Sequence, residues 1–414
     1  MKKLLALLLV LAMVAALFVG CKTNTDPTEP TTDPADPTEP TTEAPTDPTE
    51  PVPPTIEAKI AMVTDYGDIT DESFNQAAYE GCKAFADQYG CDFKYFKPTS
   101  DSTADRVAMV ESAIDEGYEI IVMPGYAFGG TLVEVTNEYP DVKFIALDVA
   151  AGDILEAGVG EGYTYNPADY DVTEYYNTEN TYCAVYQEEI AGYMAGYAAV
   201  KLGYTKLGYL GGMAVPAVIR YGYGFVQGVD DAAGEIGAEG VEVKYVYGNQ
   251  FFGDADITAY MDTWYADGTE AVFACGGGIY TSAAEAAEKV GGKVIGVDVD
   301  QAPIIDKYAE GMTITSAMKG LTATVVDALT EILVNDNWAA YAGQIASLGL
   351  VSDTDLTSNF VQLPASTQWA DGFTEADYAA LVAALFSGDI EVSNATDADP
   401  AVANITLDVQ GNIK

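Results

Sequence analysis

Four groups of polar residues in this sequence have the chemistry to recognise a small molecule. They are the stretch from Asp65 to Gln76, Asp148, the stretch from Asp298 to Gln301, and Lys319. Each comes at the end of a short apolar run that is typical of a β-strand. Carboxylates accept hydrogen bonds from hydroxyl and amino groups, and a lysine can donate to the same molecule. Together these side chains favour the binding of a polar ligand.

A structural explanation competes with the binding interpretation for each acid. An aspartate that precedes a helix commonly caps it, because its carboxylate accepts hydrogen bonds from unpaired backbone N–H groups. Asp65, Asp71, Asp298 and Asp300 could each do so. Capping alone is a poor explanation for several clusters that all follow strands of one α/β body. Phe74, at the start of a predicted helix, is also unusual for a residue that only packs in the core.

The composition disfavours catalysis and a bound metal or cofactor. The sequence has no histidine, the commonest general base and metal ligand. The cysteines form no zinc-binding spacing, and aspartates 65, 68 and 71 do not have the spacing of a calcium loop. The glycine runs at 211–212 and 276–278 lack the lysine of a phosphate-binding loop. We therefore expect a protein that is not an enzyme and uses no cofactor.

Charge and cysteine content limit the partners of the protein. The formal net charge is −46, from 18 basic and 64 acidic residues, which argues against nucleic acid or anionic lipid as a partner surface. Cys82 and Cys91 could pair in an oxidising compartment. Because one lies in a predicted helix and the other opens a predicted strand, we expect buried free thiols instead.

The N-terminal segment has the features of export and membrane anchoring. Residues 1–20 combine two lysines, an apolar run and a final glycine, which is typical of a cleavable signal peptide. Leu17-Phe18-Val19-Gly20-Cys21 is similar to a bacterial lipobox, so we expect Cys21 to carry the lipid, palmitate included. Residues 21–57 are rich in Pro, Thr and acids and predict a disordered spacer, which in polyproline II would span on the order of 100 Å. The predicted location is the extracytoplasmic face of the cell membrane, where the lipid alone holds the protein.

From residue 58 onward, apolar runs alternate with amphipathic stretches, the pattern of parallel strands joined by helices. The predicted strands are 59–64, 92–96, 119–124, 142–147, 182–186, 207–211, 241–247, 271–274, 294–297, 312–317 and 405–409. The predicted helices are 73–88, 103–116, 128–138, 188–202, 215–236, 257–267, 280–290, 322–335 and 375–386. Gly192 and Gly196 share one helix face and are expected to let that helix lie close to its sheet.

This alternation predicts an α/β protein with two Rossmann-like lobes. Residues 58–150 and about 318–345 are assigned to the first lobe, and about 181–317 and 346–414 to the second. Residues 151–180, acidic and rich in Tyr and Gly, are predicted to be an irregular insertion. Folds of this kind bind ligands at the carboxyl ends of their strands, so we expect the site in the crevice between the lobes.

At its polar clusters the sequence resembles the basic membrane protein (BMP) family of ABC-transporter substrate-binding lipoproteins, which includes purine-nucleoside receptors of bacteria. The motifs that carry the resemblance are Asp65-Tyr66-Gly67, Asp71 to Gln76, Glu189 to Gly196, Gly211-Gly212-Met213 with Pro216 and Val218, Gly224-Phe225, Gly296 to Gln301, and Thr315 to Lys319. They cover nearly all of the folded body in the family's order.

The resemblance implies a type I periplasmic-binding-protein fold that closes over a nucleoside. In the family, the aromatic residue matching Phe74 stacks on the base. The aspartates matching Asp65 and Asp148 bond the polar edges of the ligand, and the residues matching Asp298 and Lys319 hold the ribose hydroxyls. The resemblance also implies a monomer that delivers its ligand to an ABC permease and its ATPase.

Four more residues enter the candidate site through the same motifs. Ser73 and Asn75 flank Phe74, and Gly276 opens a glycine run after a predicted strand. Tyr221 is the candidate for a second stacking ring, at a position where relatives often have Phe. The sequence departs from its relatives again after Lys319, where glycine replaces a frequent arginine.

Three alternatives stay open. Aromatic platforms and paired carboxylates also recognise pyranoses, so the ligand could be a sugar or another small polar metabolite. A receptor subunit that signals to a membrane sensor would use the same fold. A nucleoside hydrolase acting through the aspartates is disfavoured, because the sequence has neither a histidine nor a coherent set of metal ligands.

Overall fold

The computed structural model describes residues 55–414 and contains two β-sheets covered by helices. In chain order the strands and longer helices are β1 (Lys59–Val63), α1 (Phe74–Tyr89), β2 (Asp92–Phe96), α2 (Thr103–Asp115), β3 (Ile120–Pro124), α3 (Phe128–Val135), β4 (Lys143–Leu147), α4 (Ala151–Val159), β5 (Thr181–Tyr186), α5 (Glu188–Lys201), β6 (Lys206–Gly211), α6 (Pro216–Ile236), β7 (Glu242–Tyr247), α7 (Ala255–Ala266), β8 (Ala271–Cys275), α8 (Tyr280–Glu288), β9 (Lys293–Asp298), α9 (Ala302–Ile305), β10 (Thr313–Lys319), α10 (Leu321–Leu333), β11 (Ile345–Leu348), β12 (Val361–Gln362), α11 (Glu375–Ser387) and β13 (Thr406–Asn412). The α/β prediction is confirmed.

The first sheet has the strand order β11-β5-β4-β3-β1-β2, and all of its strands are parallel. Its central strands are continuous apolar runs because helices cover both faces, and every residue of β3 is buried. On one face Phe85 of α1 and Val325 of α10 pack against the sheet. On the other face Val110 of α2 and Leu132 of α3 do so. This sheet and its helices form the first lobe.

The second sheet has the order β12-β10-β9-β8-β6-β7-β13 and is parallel except for β12, which pairs antiparallel with β10. Helices α5, α6 and α11 cover one face, where Phe225 and Leu381 are buried. Helices α7 and α8 cover the other, where Trp264 and Ala283 are buried. The second lobe therefore repeats the architecture of the first.

The two predicted packing glycines of α5 lie against α6. A Cβ atom on Gly192 would come within 2.1 Å of the Tyr221 carbonyl oxygen, and one on Gly196 within 2.2 Å of the Phe225 carbonyl oxygen. The prediction that these glycines bring the helix close to its sheet is wrong, because the space is occupied by the α6 backbone. The close approach matters for the site, since it fixes the segment of α6 that carries Tyr221.

The chain crosses between the lobes three times. The crossovers follow β5 at Gln187, follow β10 at Gly320, and join β11 to β12. The strands involved are the last two at one edge of each sheet. After the second crossover α10 returns to pack on α1, where Leu321 and Val325 contact the core of the first lobe.

Two predicted lobe boundaries are wrong. The segment 181–186 was assigned to the second lobe, but as β5 it pairs with β4 in the first sheet, with Phe144 opposite Thr181 and Leu147 opposite Ala184. The second lobe was expected to resume at residue 346, but β11 pairs with β5. An apolar run predicts a strand without specifying its neighbour, and the crossover follows β5 instead of preceding it.

The predicted irregular insertion begins with a helix. Residues 151–180 start with α4 and continue through short 3-10 turns before β5. The prediction is therefore wrong for the first part of the segment. The helix has only 9 residues and contains Gly152 and Gly158, so its sequence is typical of a loop.

The predicted signal peptide, Cys21 and nearly all of the spacer lie outside the described residues. From residue 55 onward, no helix has both the length and the hydropathy that a bilayer crossing requires. The four cysteines in this part of the chain are free. Cys82, Cys183 and Cys275 are buried, whereas Cys91 is half-buried.

Candidate functional site

A cavity of about 420 Å³ lies between the lobes, where the carboxyl ends of the strands of both sheets meet. This volume is within the range of small-molecule sites. The predicted residues that line the cavity are Asp65, Phe74, Asn75, Asp148, Tyr221, Gly276, Asp298 and Lys319. Ser73 does not line it, but its hydroxyl contacts the cavity residue Asp298. The structure therefore brings together residues that are up to 254 positions apart in the sequence, Asp65 and Lys319.

In the loop after β1, Asp65 and Asp71 have different structural roles. Asp71 caps α1, because its carboxylate accepts from the backbone N–H groups of Ser73, Asn75 and Gln76 at 2.9–3.1 Å. Asp65 folds the loop, since its Oδ1 accepts from the N–H groups of the next two residues at 2.6 and 2.7 Å. Burial raises the pKa of Asp65, and these two N–H groups partly oppose that shift. The capping explanation is thus correct for Asp71.

Asn75 is oriented by Asp71. Its Nδ2 donates to Asp71 Oδ2 at 3.2 Å, which fixes the amide orientation because a carboxylate can only accept. Asn75 Oδ1 then points away and has no hydrogen-bond partner within residues 55–414, although the atom is buried. Asn75 therefore presents a buried acceptor at the cavity wall.

Asp148 and Asp298 are equivalent residues of the two lobes. Each follows or ends the strand that lies third from the crossover edge of its sheet, β4 or β9. Both have left-handed backbone conformations, with φ of 60° and 63°. A non-glycine residue in this region costs on the order of 1–3 kcal/mol, so the surrounding structure must hold both carboxylates in place. Burial raises the pKa of Asp298.

Lys319 lies at the centre of the buried charges. Its Nζ donates to Asp148 Oδ2 at 2.6 Å, and its side chain is only 2% exposed. Nζ also lies 3.0 Å from Glu188 Oε1, and Glu188 Oε2 accepts from Arg220 Nε at 2.6 Å. The Glu188–Lys319 contact is a buried ion pair. Two cations and two carboxylates therefore balance one another beside the cavity.

The network determines how its acids ionise. Burial raises the pKa of Asp148 to about 6, with the Lys319 charge opposing the rise and the Glu188 charge adding to it. Burial would also raise the pKa of Glu188, but the charges of Lys319 and Arg220 outweigh it and hold that pKa below its usual range. Burial disfavours the charged form of Lys319, yet its carboxylate neighbours keep the pKa of the amine raised.

Aromatic rings surround the ammonium group. Lys319 Nζ lies 5.2 Å from the ring centre of Phe74 and 5.5 Å from that of Tyr221, one from each lobe. Tyr221 is buried against Phe273 in an edge-to-face contact at 6.0 Å, and its hydroxyl has no hydrogen-bond partner among the described residues. Both predicted stacking rings therefore lie at the cavity, each within 5.5 Å of the same ammonium group.

Gly276 admits a third ring. Its φ of 143° is one that side chains rarely adopt, and a Cβ atom there would lie 2.8 Å from Cδ1 of Phe251. Phe251 follows β7 and lines the cavity beside Gly276. Gly276 therefore contributes to the site by having no side chain, which lets the Phe251 ring pack against its backbone.

Sequence reasoning missed several residues at the site. The cavity is also lined by Tyr66, Tyr126, Asp153, Arg220 and Phe251. Glu188 does not line it but contacts the cavity residue Lys319. Phe251 lies in a polar and aromatic stretch that follows a predicted strand, the signal that identified the other residues. Asp153 was hidden in the segment predicted to be irregular. Burial raises the pKa of Asp153 to about 7.

The described residues contain no group of three or more acidic or cysteine side chains arranged to hold a metal ion. The arrangement at the cavity instead combines aromatic rings, buried hydrogen-bond acceptors and a buried ammonium group. Such a site can hold a polar, partly aromatic molecule by stacking and hydrogen bonding.

Comparisons with known proteins agree with this geometry. The model of the family Bmp, described as ABC transporter substrate-binding protein PnrA-like, matches residues 58–354. The ABC transporter nucleoside-binding protein BmpA of Lactococcus lactis subsp. cremoris is 26% identical over 260 residues, which cover 59% of this chain and 65% of that protein. An uncharacterized lipoprotein of Pyrococcus abyssi is 26% identical over 304 residues, 71% of this chain and 67% of that protein. The chain thus spans about two thirds of the length of these relatives.

Solved structures are similar in fold. An ABC transporter solute-binding protein from Conexibacter woesei has 20% sequence identity and a TM-score of 0.60, over 81% of this chain and 99% of that chain. Another, from Aeropyrum pernix K1, has 20% identity and a TM-score of 0.59, over 81% and 87%. These neighbours confirm the predicted type I periplasmic-binding-protein fold. The family model ends at residue 354, so α11 and β13 lie beyond it.

Proposed function

The chain belongs to the Bmp family of PnrA-like ABC-transporter substrate-binding proteins, and from this premise we propose that it captures a nucleoside, preferentially a purine nucleoside, and delivers it to an ABC permease. The observation that carries the proposal is the pairing, in one cavity, of aromatic rings with buried acceptors that have no donor among residues 55–414. A nucleoside offers the complement of both, an aromatic base and a set of hydroxyl and amino donors.

The unpaired buried atoms define what the ligand must supply. Asn75 Oδ1 and Asp148 Oδ1 are buried without a partner in the described chain, and both residues line the cavity. An unsatisfied buried acceptor costs about 1–3 kcal/mol, so a ligand that donates to it gains that amount. The hydroxyl of Tyr221 can accept or donate. The donors of a nucleoside suit these positions.

The charge of the cavity suits an uncharged ligand. The acids that line it are Asp65, Asp68, Asp71, Asp148, Asp153 and Asp298, against the cations Lys97, Arg220 and Lys319. Lys319 and Arg220 already face Asp148 and Glu188, so little positive charge is left for a phosphate. A nucleoside or free base therefore fits better than a nucleotide.

We assign roles to the residues by position and by the family resemblance. Phe74 and Tyr221 are proposed to stack on the base, because both line the cavity and they come from different lobes. Asp65 and Asp148 are proposed to form hydrogen bonds with the polar edges of the base. Asp298 and Lys319 are proposed to hold the ribose hydroxyls.

We propose that the protein releases its ligand chemically unchanged and is therefore a carrier and not an enzyme. The family model and the relative from Lactococcus lactis are both named as binding proteins. The sequence has no histidine, and the Lys319 ammonium is already paired with carboxylates. We further propose that the protein is a monomer anchored through Cys21 on the outer face of the membrane, where permease and ATPase subunits complete the importer.

A thermal-shift screen of nucleosides, free bases and hexoses tests the proposal. A ligand at 100 times its Kd stabilises the folded protein by about 2.7 kcal/mol, which a melting curve detects. Purine nucleosides should give the largest shifts, and free bases smaller ones. A hexose or another polar metabolite that outcompetes every nucleoside would favour that ligand class instead. Release of free base during incubation would contradict the carrier role.

A further inference from the structure

Glu188 lies just outside the cavity, with one carboxylate oxygen near each of two cavity cations. It is the first residue of α5, directly after the crossover from β5, and its side chain is fully buried. Its Oε1 is 3.0 Å from Lys319 Nζ, and its Oε2 accepts from Arg220 Nε at 2.6 Å. Lys319 and Arg220 line the cavity, whereas Glu188 does not.

Lys319 and Arg220 come from different elements, β10 and α6, and both need a fixed position to act on a ligand. A lysine side chain has four rotatable bonds, and a single partner fixes only one direction of its ammonium group. Asp148 provides that partner from the first lobe, at 2.6 Å. Glu188 provides a second anchor from the crossover, and it ties the same anchor to Arg220.

We infer that Glu188 is a positioning residue that aims Lys319 and Arg220 at the ligand and leaves one oxygen of Asp148 free to accept from it. The inference rests on the proposed nucleoside function only for the identity of the ligand. Without the Glu188 charge, Lys319 would depend on Asp148 alone, and Asp148 Oδ1 would cease to be an acceptor reserved for the ligand. Arg220 would lose its 2.6 Å partner and keep only a 4.0 Å approach to Glu189.

Glu189 provides a matched control one residue further along the same helix. It is also buried, but its nearest cation is Arg220 at 4.0 Å, and the structure gives it no ion pair with Lys319. Burial raises the pKa of Glu189 to about 7, so a large share of this side chain is protonated at neutral pH. Glu189→Gln therefore replaces one buried acid by an amide of the same shape with a small change in charge.

The test measures binding of inosine and of 2′,3′-dideoxyinosine to the full-length chain by isothermal titration at neutral pH. Because Lys319 is proposed to hold the ribose and Asp148 the edge of the base, Glu188→Gln should weaken inosine by about tenfold and the dideoxy analogue, which keeps only the base contact, by about threefold. Glu189→Gln should leave both affinities within about twofold, as expected for a nearly neutral replacement. A merely structural role of Glu188 would weaken both ligands equally.

A double-mutant cycle with Lys319→Met extends the test. If Glu188 acts through Lys319, the double variant should bind inosine within about twofold of the weaker single variant, since coupled residues are not additive. A loss of inosine affinity in the double variant equal to the product of the two single losses would overturn the inference. Equal effects of the Glu188 and Glu189 variants on affinity would also overturn it.

The same cycle separates this inference from the proposed function. If wild-type protein binds no nucleoside, the proposed function fails, and the cycle is then read from urea unfolding without a ligand. Non-additive changes in the unfolding free energy would still support the placement of Lys319 by Glu188. Additive changes would overturn it.

Discussion

The hydroxyl of Ser73 donates a hydrogen bond of 2.6 Å to Asp298 Oδ2, which joins the first lobe to the second through buried atoms. Ser73 is the N-terminal capping residue of α1, yet its side chain makes no capping hydrogen bond. Asp71 satisfies the backbone of this helix instead. The Ser73 hydroxyl is thus available for the interlobe contact.

Ser73→Ala should weaken ligand binding without unfolding α1. The variant removes a donor from a buried carboxylate and one contact of the closed cleft, so affinity for a nucleoside should fall by about 1–2 kcal/mol, or roughly tenfold. Isothermal titration measures the change. Ser112→Ala is the control, because Ser112 is a half-buried residue of α2 whose hydroxyl only donates to the Ala108 carbonyl. Equal affinities for wild type and Ser73→Ala would contradict the proposed role of the contact.

Phe74 and Asp298 should act on different halves of the ligand. Phe74→Ala should weaken free bases and nucleosides alike, by about 1–3 kcal/mol, because stacking does not involve the sugar. Asp298→Asn should weaken nucleosides by a comparable amount and spare free bases, because the charged acceptor for the ribose diol is lost. Titration of hypoxanthine and inosine into both variants measures the difference. Normal nucleoside binding by both variants would show that the site assignment is wrong.

Acidification should have opposite effects on affinity and stability. The pKa of Asp148 is raised by burial to about 6 from an ordinary value of 3.8, so below about pH 6 this side chain is neutral in the folded protein. The neutral form loses its ion pair with Lys319 and its strength as an acceptor, so nucleoside affinity should fall.

The free energy of unfolding should change in the other direction over the same range. A folded-state pKa above the unfolded one means that protonation stabilises the folded protein, and the stabilisation is lost as the pH rises through about 6. Asp153 and Glu189, both with the pKa raised by burial to about 7, add effects of the same sign. Urea unfolding between about pH 5 and pH 7.5 measures this. Stability that increases with pH in this window would contradict the prediction, and Asp148→Asn should reduce the slope.

Cys21 should be the only membrane attachment. Cys21→Ser should move the protein from the membrane fraction to the medium, because the lipid would be lost and the predicted spacer has no apolar run. Fractionation and immunoblotting measure the distribution. Deletion of residues 31–50 from the spacer should leave ligand affinity unchanged. Membrane retention of the Cys21→Ser protein would contradict the lipid assignment.

The parts of the fold that were predictable are those with a local cause. Parallel strands covered on both faces are continuous apolar runs, and β1, β3 and β9 begin and end close to the predicted residues. The assignment of β5 to a sheet was not predictable, because strand pairing depends on the crossover that follows it. Helix α4 was missed because it is short and contains two glycines, Gly152 and Gly158, which are typical of a loop.

The residues of the site were also predictable only where the signal is local in the sequence. Asp65, Asp148 and Asp298 were predictable because each comes at the end of a predicted strand, where an α/β fold binds its ligands. Phe74 was predictable because it begins the helix that follows the first strand. Glu188 was not recognised as a partner of Lys319, because the two residues meet only where the chain crosses between lobes. Each role in ligand binding stays a prediction until the variants are measured.

The position of the three crossovers restricts how the cleft can open. All three crossovers follow strands at one edge of the sheets, so the connections between the lobes form a hinge along that edge. Rotation about that hinge would separate Ser73 from Asp298, because this pair spans the gap between the lobes. Opening would therefore be a rotation about one axis at the crossover edge, and the parts of the cleft farthest from that edge would separate most.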